Sequence, residues 1–181
     1  MAWNISSDPS TWSWLEDTYW CVPPASLPAL RFDQDGNALT WVVDQTVWHI
    51  TGYRDGYFWG VCAALLRDAG EPVPERGPGS QPRGFTMLGS VTPEGRVHLT
   101  FIPDSQGSAT IGIGRAVRHQ AEWSLEMQMS SGAGSQTTAH WAYMMRVRPD
   151  DPSWSSLPGV GLSVPEMLVG LEPPAVEPSQ Q

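Results

Sequence analysis

Between residues 119 and 148 apolar and polar positions alternate along two runs, His119 to Met129 and Thr137 to Arg148, joined by the turn-forming Ser130-Ser131-Gly132-Ala133-Gly134-Ser135-Gln136. This is the period of a long β-hairpin. In the first run Ala121, Trp123, Leu125, Met127 and Met129 share one face, and Glu122, Ser124, Glu126 and Gln128 share the other. In the second, Ala139, Trp141, Tyr143, Met145 and Val147 alternate with Thr138, His140, Ala142, Met144 and Arg146. A turn centred on Ala133 would set Trp123 opposite Tyr143, Leu125 opposite Trp141, Met127 opposite Ala139 and Glu126 opposite His140. That register makes one wall aromatic and the other titratable.

The same alternation recurs through the chain. Asp8-Pro9 before Ser10 to Asp17 predicts a short opening helix, with Asp8 as N-cap and Pro9 at the first helical position. Tyr19 to Val22 reads as a strand stopped by Pro23-Pro24, and Asp33-Gln34-Asp35-Gly36-Asn37 as a turn. Ala38 to Asp44 and Gln45 to Tyr53 follow as strand, and Arg54-Asp55-Gly56 turns the chain into Tyr57 to Leu66, since Asp-Gly between aromatic runs is a strong hairpin signal. Both faces of this return strand are apolar, which predicts packing on both sides, under a helix or against a subunit. Arg67 to Gly84, rich in Pro and Gly, reads as an exposed, mobile loop. Phe85 to Val91 and Arg96 to Ile102 form a further hairpin about Thr92-Pro93-Glu94-Gly95, and Ala109 to Val117 another strand. Ser163-Val164-Pro165-Glu166 is a capping box opening a short helix through Val169. The strands number about eight or nine, at barrel-like spacing. The reading is all-β: one antiparallel barrel domain over residues 1–171 with short N- and C-terminal helices, then a disordered Pro-rich tail over 172–181.

Composition narrows the function classes. The 181 residues, 40% hydrophobic, suit a single domain with a substantial core. A net charge of −9, with 10 Arg and no Lys, repels phosphate backbones and anionic lipid, so neither nucleic acid nor membrane is an expected partner. Arg without Lys reads as the bias of a GC-rich bacterial genome. No secretory leader is apparent and no run approaches the ~18 apolar residues of a membrane span, so a cytoplasmic location is expected. There Cys21 and Cys62 are expected as free thiols rather than a bridge.

The meander of hairpins, the opening and late short helices and the abundant Trp resemble the calycin group of β-barrels, to which lipocalins and avidins belong. The nearest local echo is Trp123 to Trp141, similar to the later strands of avidin-like barrels. The Gly-x-Trp of a lipocalin first strand has only Tyr19-Trp20-Cys21 as its counterpart, without the Gly. The resemblance implies an interior cavity for a small, largely apolar molecule.

The residues offer several kinds of chemistry. His49, His98, His119 and His140 lack metal-ligand spacing, so no metal and no cofactor is expected. Gly112-Ile113-Gly114-Arg115-Ala116-Val117 fails the dinucleotide pattern, and its glycines read as a bulge or barrel bend. Ten Trp in one chain are unusual, and rigid indoles with one N–H donor suit an apolar ligand carrying a few polar groups. The ligand-binding candidates are therefore Trp41, Trp48, Trp59, Trp123, Trp141 and Tyr143, with Arg146 to receive a carboxylate. The function expected is binding of a small hydrophobic or aromatic molecule in a barrel cavity. The alternatives are a cofactor-independent lyase, isomerase or cyclase using Glu122, Glu126 and His140 as acid/base groups, and a structural protein whose Trp- and Met-rich face is buried in a homodimer.

Overall fold

The computed structural model describes residues 8–23, 27–32, 39–70, 81–104, 107–131 and 137–176. Residues 33–37, most of the Pro/Gly-rich segment 67–84, the centre of the 130–136 turn and the last residues of the tail were read above as turn, loop or tail; positions 33–37, 71–80, 132–136 and 177–181 lie outside the described residues.

A 3-10 helix, Pro9–Leu15, opens the described chain, with Asp8 Oδ1 accepting from the Ser10 amide at 2.9 Å as its cap. Nine strands follow: β1 (Thr18–Cys21), β2 (Leu27–Phe32), β3 (Leu39–Arg54), β4 (Tyr57–Asp68), β5 (Arg83–Val91), β6 (Arg96–Pro103), β7 (Thr110–His119), β8 (Glu122–Ser131) and β9 (Thr138–Val147). Each of β2 to β9 pairs antiparallel with the next, and β9 pairs back on β2, so eight strands close a barrel. The extra strand, β1, bridges β3 and β9 beyond the end of β2. This is possible because β3 runs for 16 residues, its first part paired with β2 and its second with β1. The two runs 38–44 and 45–53 are thus a single strand.

Asp55 (φ 51°) and Gly56 (φ 86°) make the two-residue turn between β3 and β4, where two successive positive φ values match the twist of the flanking strands. At this same end the 3-10 helix plugs the barrel. Trp12 and Leu15 are buried in the main core, Trp12 Nε1 donates to the Pro93 carbonyl at 3.3 Å, and the Trp12 ring meets Trp123 edge-on at 5.1 Å. Trp14 stacks on Trp123 at 5.9 Å and lies 6.1 Å from Trp20. Above this aromatic floor the interior is filled by Trp48, Phe58, Met87, Leu99, Leu125 and Met144.

A second core lies outside the barrel. Two short helices, α1 (Pro152–Ser155) and α2 (Val164–Met167), with the segment between them, lay Leu157, Val160, Val164 and Met167 over Cys21, Val47, Ala63 and Leu65. Four such side chains contribute about 1.5–3 kcal/mol each when fully buried, enough to hold a strap with little regular structure. Ser163 and Glu166 form the capping box of α2. The two apolar faces of β4 are explained: one lines the interior, the other lies under this strap.

The β8–β9 hairpin forms, in a different register from that read off the turn. Leu125 faces Met144, Met127 faces Ala142, Met129 faces His140 and Gln128 faces Trp141. The offset is odd, so the faces of β9 invert: His140, Ala142 and Met144 point inward with Met127 and Met129, while Trp141 and Tyr143 point outward. The seven residues 130–136 all tolerate turns and fix no centre. The choice falls to the interior, where Trp20, Trp48 and Phe101 leave room for Ala142 and Met144 rather than two further large rings.

Candidate functional site

Opposite the plugged end, the inward side chains change character. Along β3 the inner face runs Val42, Asp44, Thr46, Trp48, Ile50, and along β9 it runs Thr138, His140, Ala142, Met144. Two polar stretches on otherwise apolar faces meet across β2. There they line a cavity of about 70 Å³ with Cys62, Ala64 and Leu66 of β4, Phe85, Phe101, Thr110, Met129 and Ser131. That volume holds about two water molecules at ~30 Å³ each, or the head group of a larger ligand.

Asp44 is 3% exposed. Thr46 Oγ1 lies 2.9 and 2.8 Å from its two carboxylate oxygens, and His140 Nδ1 lies 3.6 Å from Oδ2, too far for a hydrogen bond. Burial raises the Asp44 carboxyl above its ordinary value, against a smaller lowering from His140 and from the Thr46 hydroxyl. Two buried polar atoms on this wall have no hydrogen-bond partner among the described residues: His140 Nδ1 and Trp48 Nε1. A buried polar atom left unpaired costs about 1–3 kcal/mol, so both atoms favour a partner that enters the cavity.

Cys62 also faces the cavity. Burial first, and the nearby Asp44 and Asp104 next, push its thiol well above the usual range, so it stays protonated and is no nucleophile. Cys21 lies on the outer face in the second core; both cysteines are free thiols. Among the described residues no group of three or more His, Cys, Asp or Glu is placed to hold a metal ion, and no helix is long and apolar enough to cross a membrane.

The residues singled out from the sequence separate into three groups. Trp48 and His140 line the cavity, whereas Trp123 belongs to the plugged floor. Glu126, Trp141 and Tyr143 lie together on the outer wall, in an open groove of about 1160 Å³ that also includes Arg96, Ile113, Arg115 and His119. There Arg115 donates to Glu126 Oε2 at 3.0 Å, His119 lies 3.5 Å from Glu126 Oε1, and Trp141 stacks on Tyr143 at 6.2 Å. Trp41, 60% exposed, and Trp59, lying over Gly52, stand on the outer wall elsewhere. Glu122 pairs with Arg148 at 3.3 Å outside, and Arg146 sits opposite Trp20 across β1 and β9. The pairing of Glu126 with His140 is therefore replaced by Asp44 with His140.

Asp44 was missed because a lone Asp in Trp41-Val42-Val43-Asp44-Gln45 reads as a surface residue. Its signal is parity, since it shares a face with Val42, Trp48 and Ile50. Comparison of the chain with protein-family models, with curated proteins and with solved structures finds no match.

Between the outer groove and the inner cavity, the inner cavity is the better site. The polar groups of the outer groove are solvated or already paired. In the inner cavity Asp44, Thr46 and Thr138 are buried, and the buried atoms Trp48 Nε1 and His140 Nδ1 lack hydrogen-bond partners among the described residues.

Proposed function

We infer that this barrel binds a small, largely apolar molecule at the end opposite the plug, with a polar head in the Asp44–Trp48–His140 cavity and an apolar body against Leu66, Phe85 and Met129. The observation that carries the reading is the buried Trp48 N–H, without an acceptor among the described residues and set in a wall that is otherwise mostly apolar. A closed eight-strand meander plugged at one end by an N-terminal 3-10 helix is consistent with a calycin-like barrel, and free buried thiols fit a cytoplasmic setting.

A second reading has one specific observation in its favour. His140 faces inward beside a buried carboxyl, the arrangement a cofactor-independent lyase, isomerase or cyclase uses to move protons. Binding precedes either outcome, so binding is the test. Titration with short-chain fatty and small aromatic probes is expected to shift Trp emission and raise the melting temperature. Trp48→Phe is expected to weaken that binding about tenfold, the worth of one hydrogen bond of ~1.4 kcal/mol. Emission and melting temperature unmoved across a broad panel would refute the reading.

A further inference from the structure

Resting on the cavity reading above, we propose that the head group of the ligand is an uncharged oxygen-bearing group, a hydroxyl, carbonyl or carboxamide, and that Asp44 rejects carboxylates.

Facing the cavity are Asp44 from β3, His140 from β9 and Cys62 from β4. Asp104 lies close enough to act on Cys62, and the Arg31–Asp68 pair, 2.6 Å apart, stands two residues beyond Leu66 along β4. Cys62 contributes no charge while it remains a thiol. The cation of the Arg31–Asp68 pair is offset by its own partner. Among the described residues that line the cavity, His140 is the one group that can turn positive, and it lies 3.6 Å from Asp44 Oδ2, which offsets it when charged. At neutral pH the wall is therefore neutral or negative.

At pH 7.5 a carboxylate can enter this space only with a proton held between it and Asp44, because two negative charges a few ångströms apart in a low-dielectric interior repel far more strongly than in water. A neutral head meets complementary groups instead. Its oxygen accepts from Trp48 Nε1–H, and its hydroxyl or amide hydrogen donates to Asp44 or to a bare imidazole nitrogen of His140. The size agrees. The cavity of about 70 Å³ takes a head of two or three heavy atoms, which leaves the apolar body against Leu66, Phe85 and Met129.

The test compares benzyl alcohol, benzamide and benzoate on the full chain, reading the indole N–H resonances by ¹H–¹⁵N spectroscopy and assigning the Trp48 signal by its loss in Trp48→Phe. At pH 7.5 the alcohol and the amide are expected to move the Trp48 resonance, with benzoate at least tenfold weaker. Asp44→Asn should bring benzoate to within threefold of benzamide. Should that variant fail to fold, the unmodified protein at about pH 4 serves, because benzoic acid then carries its proton in large part and should bind like the amide. Equal binding of benzoate and benzamide at pH 7.5, or a gap that neither Asp44→Asn nor acid narrows, would overturn the proposal while leaving the cavity reading intact. If none of the three probes moves the Trp48 resonance, the cavity reading itself fails and this proposal fails with it.

Discussion

Asp44 Oδ2 and His140 Nδ1 lie 3.6 Å apart, on β3 and β9, with the backbone of β2 between those strands. Neither residue is close to the other in sequence, and each interrupts an apolar inner face. The carboxyl gains two contacts from Thr46 but gives up its hydration, and burial is the larger effect. Holding a charge here costs stability.

That cost has a pH signature. The folded-state value of Asp44 is raised, so the folded chain binds its proton more tightly than the unfolded chain. Stability from this group is full below the ordinary Asp value of about 3.9 and is lost as pH rises through the higher folded value. Asp44→Asn, which keeps an acceptor for Thr46, should therefore be more stable than the parent at pH 8, by about 2–4 °C in Tm for each ~1 kcal/mol relieved. The advantage should vanish near pH 3.5. Melting curves across pH check this, and a variant less stable at pH 8 than at pH 3.5, relative to the parent, would contradict it.

Local signals carried most of the fold. Turn chemistry at Asp55-Gly56 and Thr92-Gly95, the Asp8 cap and the Ser163/Glu166 box each act over a few residues, and each stands in the structure as read. The β8–β9 register did not yield to the same reasoning, because 130–136 gives equal licence to several centres. Only the volume of the interior, set by strands far away in sequence, decides that Met144 goes in and Trp141 goes out. The candidate site suffered the same way: one slip in parity put His140 beside Glu126 instead of Asp44. The strap of residues 152–167 was legible only at its capping box. What it covers, Val47 and Ala63, lies a hundred residues earlier.

Gly60 should resist substitution. A Cβ there would overlap the His49 carbonyl, and the register slip between Ile50 and Gly52 on the facing strand leaves no slack. Gly60→Ala should destabilise the barrel by about 1–3 kcal/mol through forced backbone shifts. Urea denaturation measures this, and a loss under about 0.5 kcal/mol would mean the wall can give.

The plug should matter more than its seven residues suggest. Trp12 is buried, hydrogen-bonded to Pro93 and packed edge-on against Trp123. Trp12→Ala should cost about 3–5 kcal/mol, the usual range for a buried Trp. Its near-ultraviolet dichroism should change as well, since Trp14 and Trp123 lose a ring neighbour. A mild loss in stability with an unchanged spectrum would place the helix outside the core.

The two thiols should be silent in the native protein. Burial, with a lesser contribution from Asp151, pushes Cys21 up to about 11, and burial, with lesser contributions from Asp44 and Asp104, raises Cys62 well above the usual range. At pH 8 neither presents much thiolate, so a disulfide reagent should label neither until denaturant is added, when both react. Fast labelling of one thiol under native conditions would locate an opening of the fold at that residue.

Glu126 and His140, opposed in the register read from the turn, provide the last test. Glu126 faces Tyr143 across the ladder, three residues from His140 and on the opposite face, so the two lie about 10 Å apart along the strand at ~3.3 Å per residue. Glu126 holds Arg115 at a surface where Arg115 is 69% exposed and Glu126 37%, and such pairs are worth at most about 1 kcal/mol. Glu126→Gln should cost no more than that, less still in 1 M salt, and should leave probe binding unchanged. His140→Ala acts differently: it removes a cavity wall and the imidazole beside Asp44, so binding of neutral probes should fall and stability should drop by about 1–3 kcal/mol. Because the sites share no partner, the double variant should be additive within about 0.5 kcal/mol, whereas Asp44→Asn with His140→Ala should not be. A coupling above 1 kcal/mol between Glu126 and His140 would require them on one face, and with it a different register for β9.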